Sequence, residues 1–152
     1  MCNVNNNLLV FGYGNPARGD DGIGPVFVER VRAMNIRGVD TDSNYQLTVE
    51  DAYNIAGYQY VFFVDALASG DAPFTMLRID GFEESGSISS HSVLPGEVVM
   101  LAKELFHAEL DAYLLGIRGY CFEEFTEVLS ARAEDNLKIT LNFFVKKLET
   151  LK

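Results

Sequence analysis

The chain has 152 residues, 48% hydrophobic and 22% charged, which is enough to bury one globular core and excludes a disordered polymer. Its formal net charge of −10 argues against non-specific binding to nucleic acid or to anionic lipid, both of which need basic surface. A metal cation or a cationic partner segment suits it better. The run LLVFGYG at residues 8–14 is continuously apolar and ends in glycines, as a buried parallel strand does. DDGIGPVFVERVRAM follows, with Ile23, Val26, Phe27 and Val31 near helical period and two acids at its front end.

NYQLTVE at residues 44–50 reads as a short second strand, and DAYNIAGY as a short helix with an acid in its first turn. YQYVFFVDA at residues 58–66 is the strongest strand, aromatic and β-branched. APFTMLRID at 72–80 reads as a strand near the sheet edge because Pro73 starts it, and GFEESGSISS as a polar loop. HSVLPGEVVMLAKELFH puts Val98, Leu101, Ala102 and Leu105 on one helical face. AYLLGIRG at 112–119 is a further buried strand, and EDNLKITLNFFVKKLETLK a closing helix, acidic at its start and lysine-rich at its end.

Strands alternating with helices at this spacing predict one α/β domain over residues 1–152, with a largely parallel sheet and helices on both faces. Cys2 and Cys121 form no CxxC pair and no disulfide framework, which favours a reducing, cytoplasmic setting. The polar MCNVNNN start does not resemble a signal peptide, and YVFFVDALA, broken by Asp65, is too short to cross a membrane.

Ligands of such sheets bind beyond the carboxyl ends of the strands. Two readings compete there. Gly12, Gly14 and Ala17 fit G-x-G-x-x-A, with Glu50 downstream as a ribose-binding acid. Asp20 and Asp21, however, would oppose a pyrophosphate at the helix start, and Pro16 interrupts the turn. The other reading takes Asp21 after the first strand, Asp65 closing the third, and His91 ahead of a helix as convergent ligands. Two carboxylates and an imidazole suit a divalent transition ion such as nickel or zinc, with positions left open for substrate.

Each residue also has a plain structural explanation. Asp20 or Asp21 can cap the helix, worth about 0.5–2 kcal/mol; Asp65 can close an Asx turn, and His91 can sit in a surface loop or cap the helix that follows. What favours the site is the shared edge, and the cost of ending the most apolar strand on an unpartnered charge. His107 falls at a helix end, and Cys121 has no nearby histidine. Ser69, Ser85, Ser87, Ser89 and Ser90 lie outside any G-x-S-x-G elbow, and Arg18 is either a solvated turn residue or a contact for a partner's carboxylate.

LLVFGYGNPARGDDGIGPVFVERV, then YVFFVDA, then SSHSVLPGEVVMLAKEL, then AYLLGIRG, in that order, resembles the nickel–iron hydrogenase maturation endopeptidases. The likeness runs from about residue 8 to the last helix, and the GNP turn with GDDGIG is its most specific part. It implies a three-layer α/β/α sandwich with a twisted, largely parallel five-stranded sheet, phosphorylase/hydrolase-like. It also implies hydrolytic removal of a C-terminal extension from a hydrogenase large-subunit precursor after nickel insertion. The family's metal-contacting positions fall on Asp21, Asp65 and His91, with Asp21 and Asp65 as catalytic candidates and Asp20, Gly14 and Asn15 supporting. The nickel would belong to the substrate, leaving no cofactor resident in the free enzyme; no nucleic acid or membrane partner is implied.

LASGDAPFTMLRI after Asp65 lacks the proline–glycine pair common in such relatives, and GFEESGSISS matches no family segment. Both depart from the pattern where a substrate groove would lie, not at the triad. The alternative from a different class is a non-catalytic metal- or dinucleotide-binding α/β module.

Overall fold

A computed structural model describes residues 7–80 and 93–151. Its strands are β1 (Leu8–Tyr13), β2 (Val39–Asn44), β3 (Tyr60–Leu67), β4 (Phe74–Ile79) and β5 (Asp111–Arg118). Its helices are α1 (Ile23–Ala33), α2 (Asp51–Ile55), α3 (Pro95–Phe106) and α4 (Ala131–Thr150), with a 3-10 turn at Gly19–Gly22 before α1. The strands form one sheet in the order β2-β1-β3-β5-β4; β4 runs antiparallel to β5 and every other pair is parallel.

Alternation along the strands builds two cores. Leu8 and Val10 of β1, Phe62 and Val64 of β3, and Leu115 and Ile117 of β5 pack against α1 and α4. Leu9, Phe11, Val61, Phe63 and Ala112 point the other way, against α2 and α3. Phe144 of α4 meets Phe27 and Phe62 edge-on at 5.7 and 5.3 Å, fixing the helix by ring geometry as well as by area. The three-layer α/β/α arrangement and the five-stranded, largely parallel sheet are as expected.

Three local expectations need correction. The second strand is Val39–Asn44, not residues 44–50. β2 is an edge strand, bonded to β1 alone and half-solvated, so VDTDSN carries no apolar pattern to read. In the stretch that does look apolar, Leu47 is buried against the α2–α3 core as part of a loop, and Val49 is exposed. In α3 the buried face is Pro95, Val98, Val99 and Ala102, with Leu101 partly covered, whereas Leu105 is 62% exposed. The helix stops at His107, whose backbone is left-handed. Finally, α4 begins three residues before Glu134, because the Ser130 hydroxyl caps it by accepting from the Ala133 N–H at 3.2 Å.

Candidate functional site

β1 is followed by α1 and β2 on one side, whereas β3 lies on its other side, so the chain reverses its winding between β1 and β3. The crevice beyond the carboxyl ends of those two strands is where open α/β sheets bind ligands. The β1–β3 ladder stops at Gly12 beside Val64, while β3 continues to Leu67. Asp65 is therefore not the strand's last residue. It sits where one neighbouring strand has run out, still paired with β5 opposite Gly116. Its Oδ1 accepts the N–H of Ala66 at 2.8 Å inside the strand, which is not the Asx turn that was an alternative.

The turn that leads out of β1 is tightly closed. Gly14, at φ +143°, lies against the Asp21 carbonyl so closely that a Cβ there would approach it to 2.0 Å. Gly24, in the first turn of α1, meets the carbonyls of Tyr13 and Val64, each 2.6 Å from where its Cβ would stand. These glycines let the turn and α1 sit directly on β1 and β3. The space they free is filled by the chain's own backbone and is not left for an incoming peptide.

The same closure decides between the two readings of the turn. Gly14 donates to Asn44, Asn15 to Asp21 Oδ2, Ala17 to Asn15 Oδ1 and Arg18 to Asn15. Gly19 donates to Thr126, Asp20 to Cys121, and Asp21 to Arg18, while Pro16 has no N–H to give. A phosphate cradle needs free N–H groups, and here they are consumed internally. The exposed Glu50, at the N-cap of α2, has no nucleotide turn to complement.

The two adjacent aspartates have opposite tasks. Asp20 is fully buried; its Oδ2 accepts Tyr120 N–H at 2.7 Å, Cys121 N–H at 2.9 Å and the Ser130 hydroxyl at 2.7 Å. Its Oδ1 accepts Ser130 N–H at 2.7 Å. Burial would raise its pKa, but three backbone donors and the hydroxyl outweigh that and hold it below the ordinary value. Asp20 is thus a fully satisfied anchor between the turn and the 120–130 segment, and neither aspartate caps α1, whose N-cap Gly22 has no side chain.

Asp21 is only partly covered. Its Oδ2 is held by the Asn15 N–H at 2.8 Å, and its Oδ1 accepts nothing among the described residues. Asp65, half-buried on the α2–α3 face, has its pKa raised to about 7 by burial first and by the charge of Asp21. The Ala66 N–H and the Tyr13 hydroxyl lower it in part. Tyr13, donating to that carboxylate, is pushed well above the ordinary phenol value by burial and by the Asp65 charge. Two acids that repel one another across a crevice offer a cation a favourable place.

No family model matches the chain, and no curated protein is similar to it in sequence. Solved structures are similar in fold. A hydrogenase 2 maturation peptidase from a Thaumarchaeota archaeon is 21% identical, with 93% of this chain and 97% of that one aligned at a TM-score of 0.67. The maturation protease HycI from Thermococcus kodakarensis KOD1 is 22% identical, covering 95% and 93% at 0.70. The maturating endopeptidase HybD from E. coli is 21% identical, covering 95% and 93% at 0.71. The fold is that of the hydrogenase maturation endopeptidases.

On this endopeptidase fold the structure brings Asp21 and Asp65 together, positions Gly14 and Asn15 beneath Asp21, and turns Asp20 away to its anchor. His91, with Ser85, Ser87, Ser89 and Ser90, lies outside the described residues. Among the described residues no group of three His, Cys, Asp or Glu is arranged to hold a metal. His107 is exposed at the end of α3. Cys121 is a free thiol whose backbone serves Asp20. Arg18 is exposed with no ion-pair partner among the described residues. No described helix is long and apolar enough to cross a membrane.

Sequence reasoning missed Tyr13 and the 120–130 segment. Tyr13 had a readable signal: it is the last residue of β1 and shares the parity of Leu9 and Phe11, hence the face of Asp65. The anchoring of Asp20 had none, since it uses backbone N–H groups 100 or more residues away.

Proposed function

We propose that the chain is an endopeptidase that removes the C-terminal extension of a nickel–iron hydrogenase large-subunit precursor after nickel insertion. The observation that carries this reading is the Asp21–Asp65 pair at the β1–β3 crevice of a maturation-endopeptidase fold, with one Asp21 oxygen unclaimed among the described residues. The nickel is substrate-borne, and Asp21, Asp65 and His91 are its proposed contacts. A site of two carboxylates and one imidazole touches a partly coordinated ion without retaining it in the free protein. Cleavage then becomes conditional on a correctly loaded precursor.

Asp65 suits proton transfer. A carboxylate with a pKa of about 7 can take a proton from an attacking water near neutral pH and return it to the leaving amine. Tyr13 orients it from one side. Asp21, fixed by Asn15, faces the ion with its remaining oxygen. The substrate's nickel can supply charge stabilisation at the scissile carbonyl.

The test is co-expression with candidate large-subunit precursors, with and without nickel, scored by loss of the extension on a mobility-shift gel and by mass. Cleavage with nickel alone is expected. An extension retained by every precursor under both conditions would refute the reading. Tight binding of nickel or NAD by the isolated chain would instead favour the non-catalytic module.

A further inference from the structure

We propose that the loop at residues 121–129 is a docking element that grips a basic, apolar segment of the protein substrate; this rests on the endopeptidase reading above. The loop carries Phe125 at 93% exposure and Val128 at 72%, the two most exposed large hydrophobic side chains among the described residues. Phe125 also has a positive φ of 62°, a backbone state that a residue with a Cβ normally avoids. An aromatic side chain in water, on an unfavourable backbone, contributes little to the fold of the isolated chain. It is the kind of residue that dominates interfaces once covered.

The loop is braced. Thr126 donates to the Ala17 carbonyl at 3.0 Å and accepts from the Gly19 N–H at 2.7 Å, forming an isolated parallel bridge beside Arg18. At its two ends, Cys121 and Ser130 are tied to the buried carboxylate of Asp20. A segment fixed this way has less entropy to lose on binding than a free loop.

Its charge specifies the occupant. Glu123, Glu124 and Glu127 are exposed, none has an ion-pair partner among the described residues, and residues 121–129 contain no base. An exposed phenylalanine in a loop that also carries three exposed carboxylates complements an apolar residue flanked by lysine or arginine. Its position matters as well. The residues that Thr126 bonds, Ala17 and Gly19, are in the turn that presents Asp21, so the loop is tied to the same frame as the candidate site.

The experiment is steady-state cleavage of the nickel-loaded precursor by the full chain at low and high salt. Phe125→Ala should raise KM on the order of tenfold, with kcat within about twofold of wild type, and Phe125→Leu should recover part of the loss. Glu123→Lys, Glu124→Lys and Glu127→Lys together should raise KM at low salt and reverse the wild-type salt dependence. Unchanged KM in both variants overturns the inference while leaving the endopeptidase reading intact. A fall in kcat at unchanged KM also overturns it, because the loop then only braces the turn. If wild type cleaves no precursor, the endopeptidase reading fails and this inference fails with it.

Discussion

The carboxylate of Asp65 feels the charge of Asp21 across the β1–β3 crevice, and together with burial this lifts its pKa to about 7. The two acids belong to elements that are 44 residues apart in sequence and are brought together because β1 stops where β3 continues. A folded aspartate that holds its proton to about 7, against an ordinary 3.8, binds more protons than the unfolded chain between those values. Stability is therefore highest below about pH 4 with respect to this group and declines as pH rises through about 7.

Asp65→Asn removes that dependence. The variant should gain thermal stability relative to wild type as pH increases from 4 to 8, most of the gain appearing by about pH 7. Melting curves across this range provide the check; parallel curves for the two proteins would show that Asp65 is not perturbed. Processing should show the complementary trend in wild type, falling below about pH 7 as the proton competes with the cation.

Asp20 should behave as a structural residue of unusual weight. Asp20→Ala strands three backbone N–H groups and a hydroxyl, and should cost on the order of 3–5 kcal/mol by denaturant unfolding. Asp20→Asn should be nearly as harmful. Either orientation of the amide turns its NH2 toward at least one backbone N–H, since both carboxylate oxygens accept from donors. A loss below about 1 kcal/mol for either variant would contradict the anchor.

Asp21→Asn should have the reverse profile. The amide oxygen can still accept the Asn15 N–H, so the melting temperature should shift little, while processing of the nickel-loaded precursor should stop. His91→Ala should also stop processing. Wild-type processing rates in both variants would eliminate the proposed contacts.

Gly24→Ala tests the packing that sets the crevice. The added methyl would press on two strand carbonyls at 2.6 Å, Tyr13 and Val64, neither of which can yield without moving its ladder. Loss of at least about 3 kcal/mol, or failure to fold, is expected. A normal melting curve would mean that α1 can lift from the sheet.

Much of this was legible in the sequence, for identifiable reasons. β1, β3 and β5 are buried on both faces, so their runs of apolar residues declare themselves. β2 did not, because an edge strand solvated on one side can be built from VDTDSN. The pairing of Asp21 with Asp65 followed from their place at the same sheet edge. The difference between Asp20 and its neighbour did not, since two consecutive aspartates look alike until a segment 100 residues later closes on one of them. Tyr13 is readable by strand parity, which places it on the face of Asp65, to whose carboxylate it donates.

The anchoring of Asp20 has a consequence for how such a chain can diversify. Its bonds to Tyr120 and Cys121 are to main-chain N–H groups, and Thr126 hydrogen-bonds the turn through its main chain. Among the described residues only Ser130 contributes a side chain to the Asp20 carboxylate. Between these fixed posts, the exposed side chains at 123–125, 127 and 128 can be exchanged without rewriting the turn that presents Asp21. The scaffold thus separates a replaceable set of exposed side chains from the frame that holds them, and exchanging residues 123–125, 127 and 128 for those of a relative is a direct way to change which partner is accepted while leaving the aspartates where they stand.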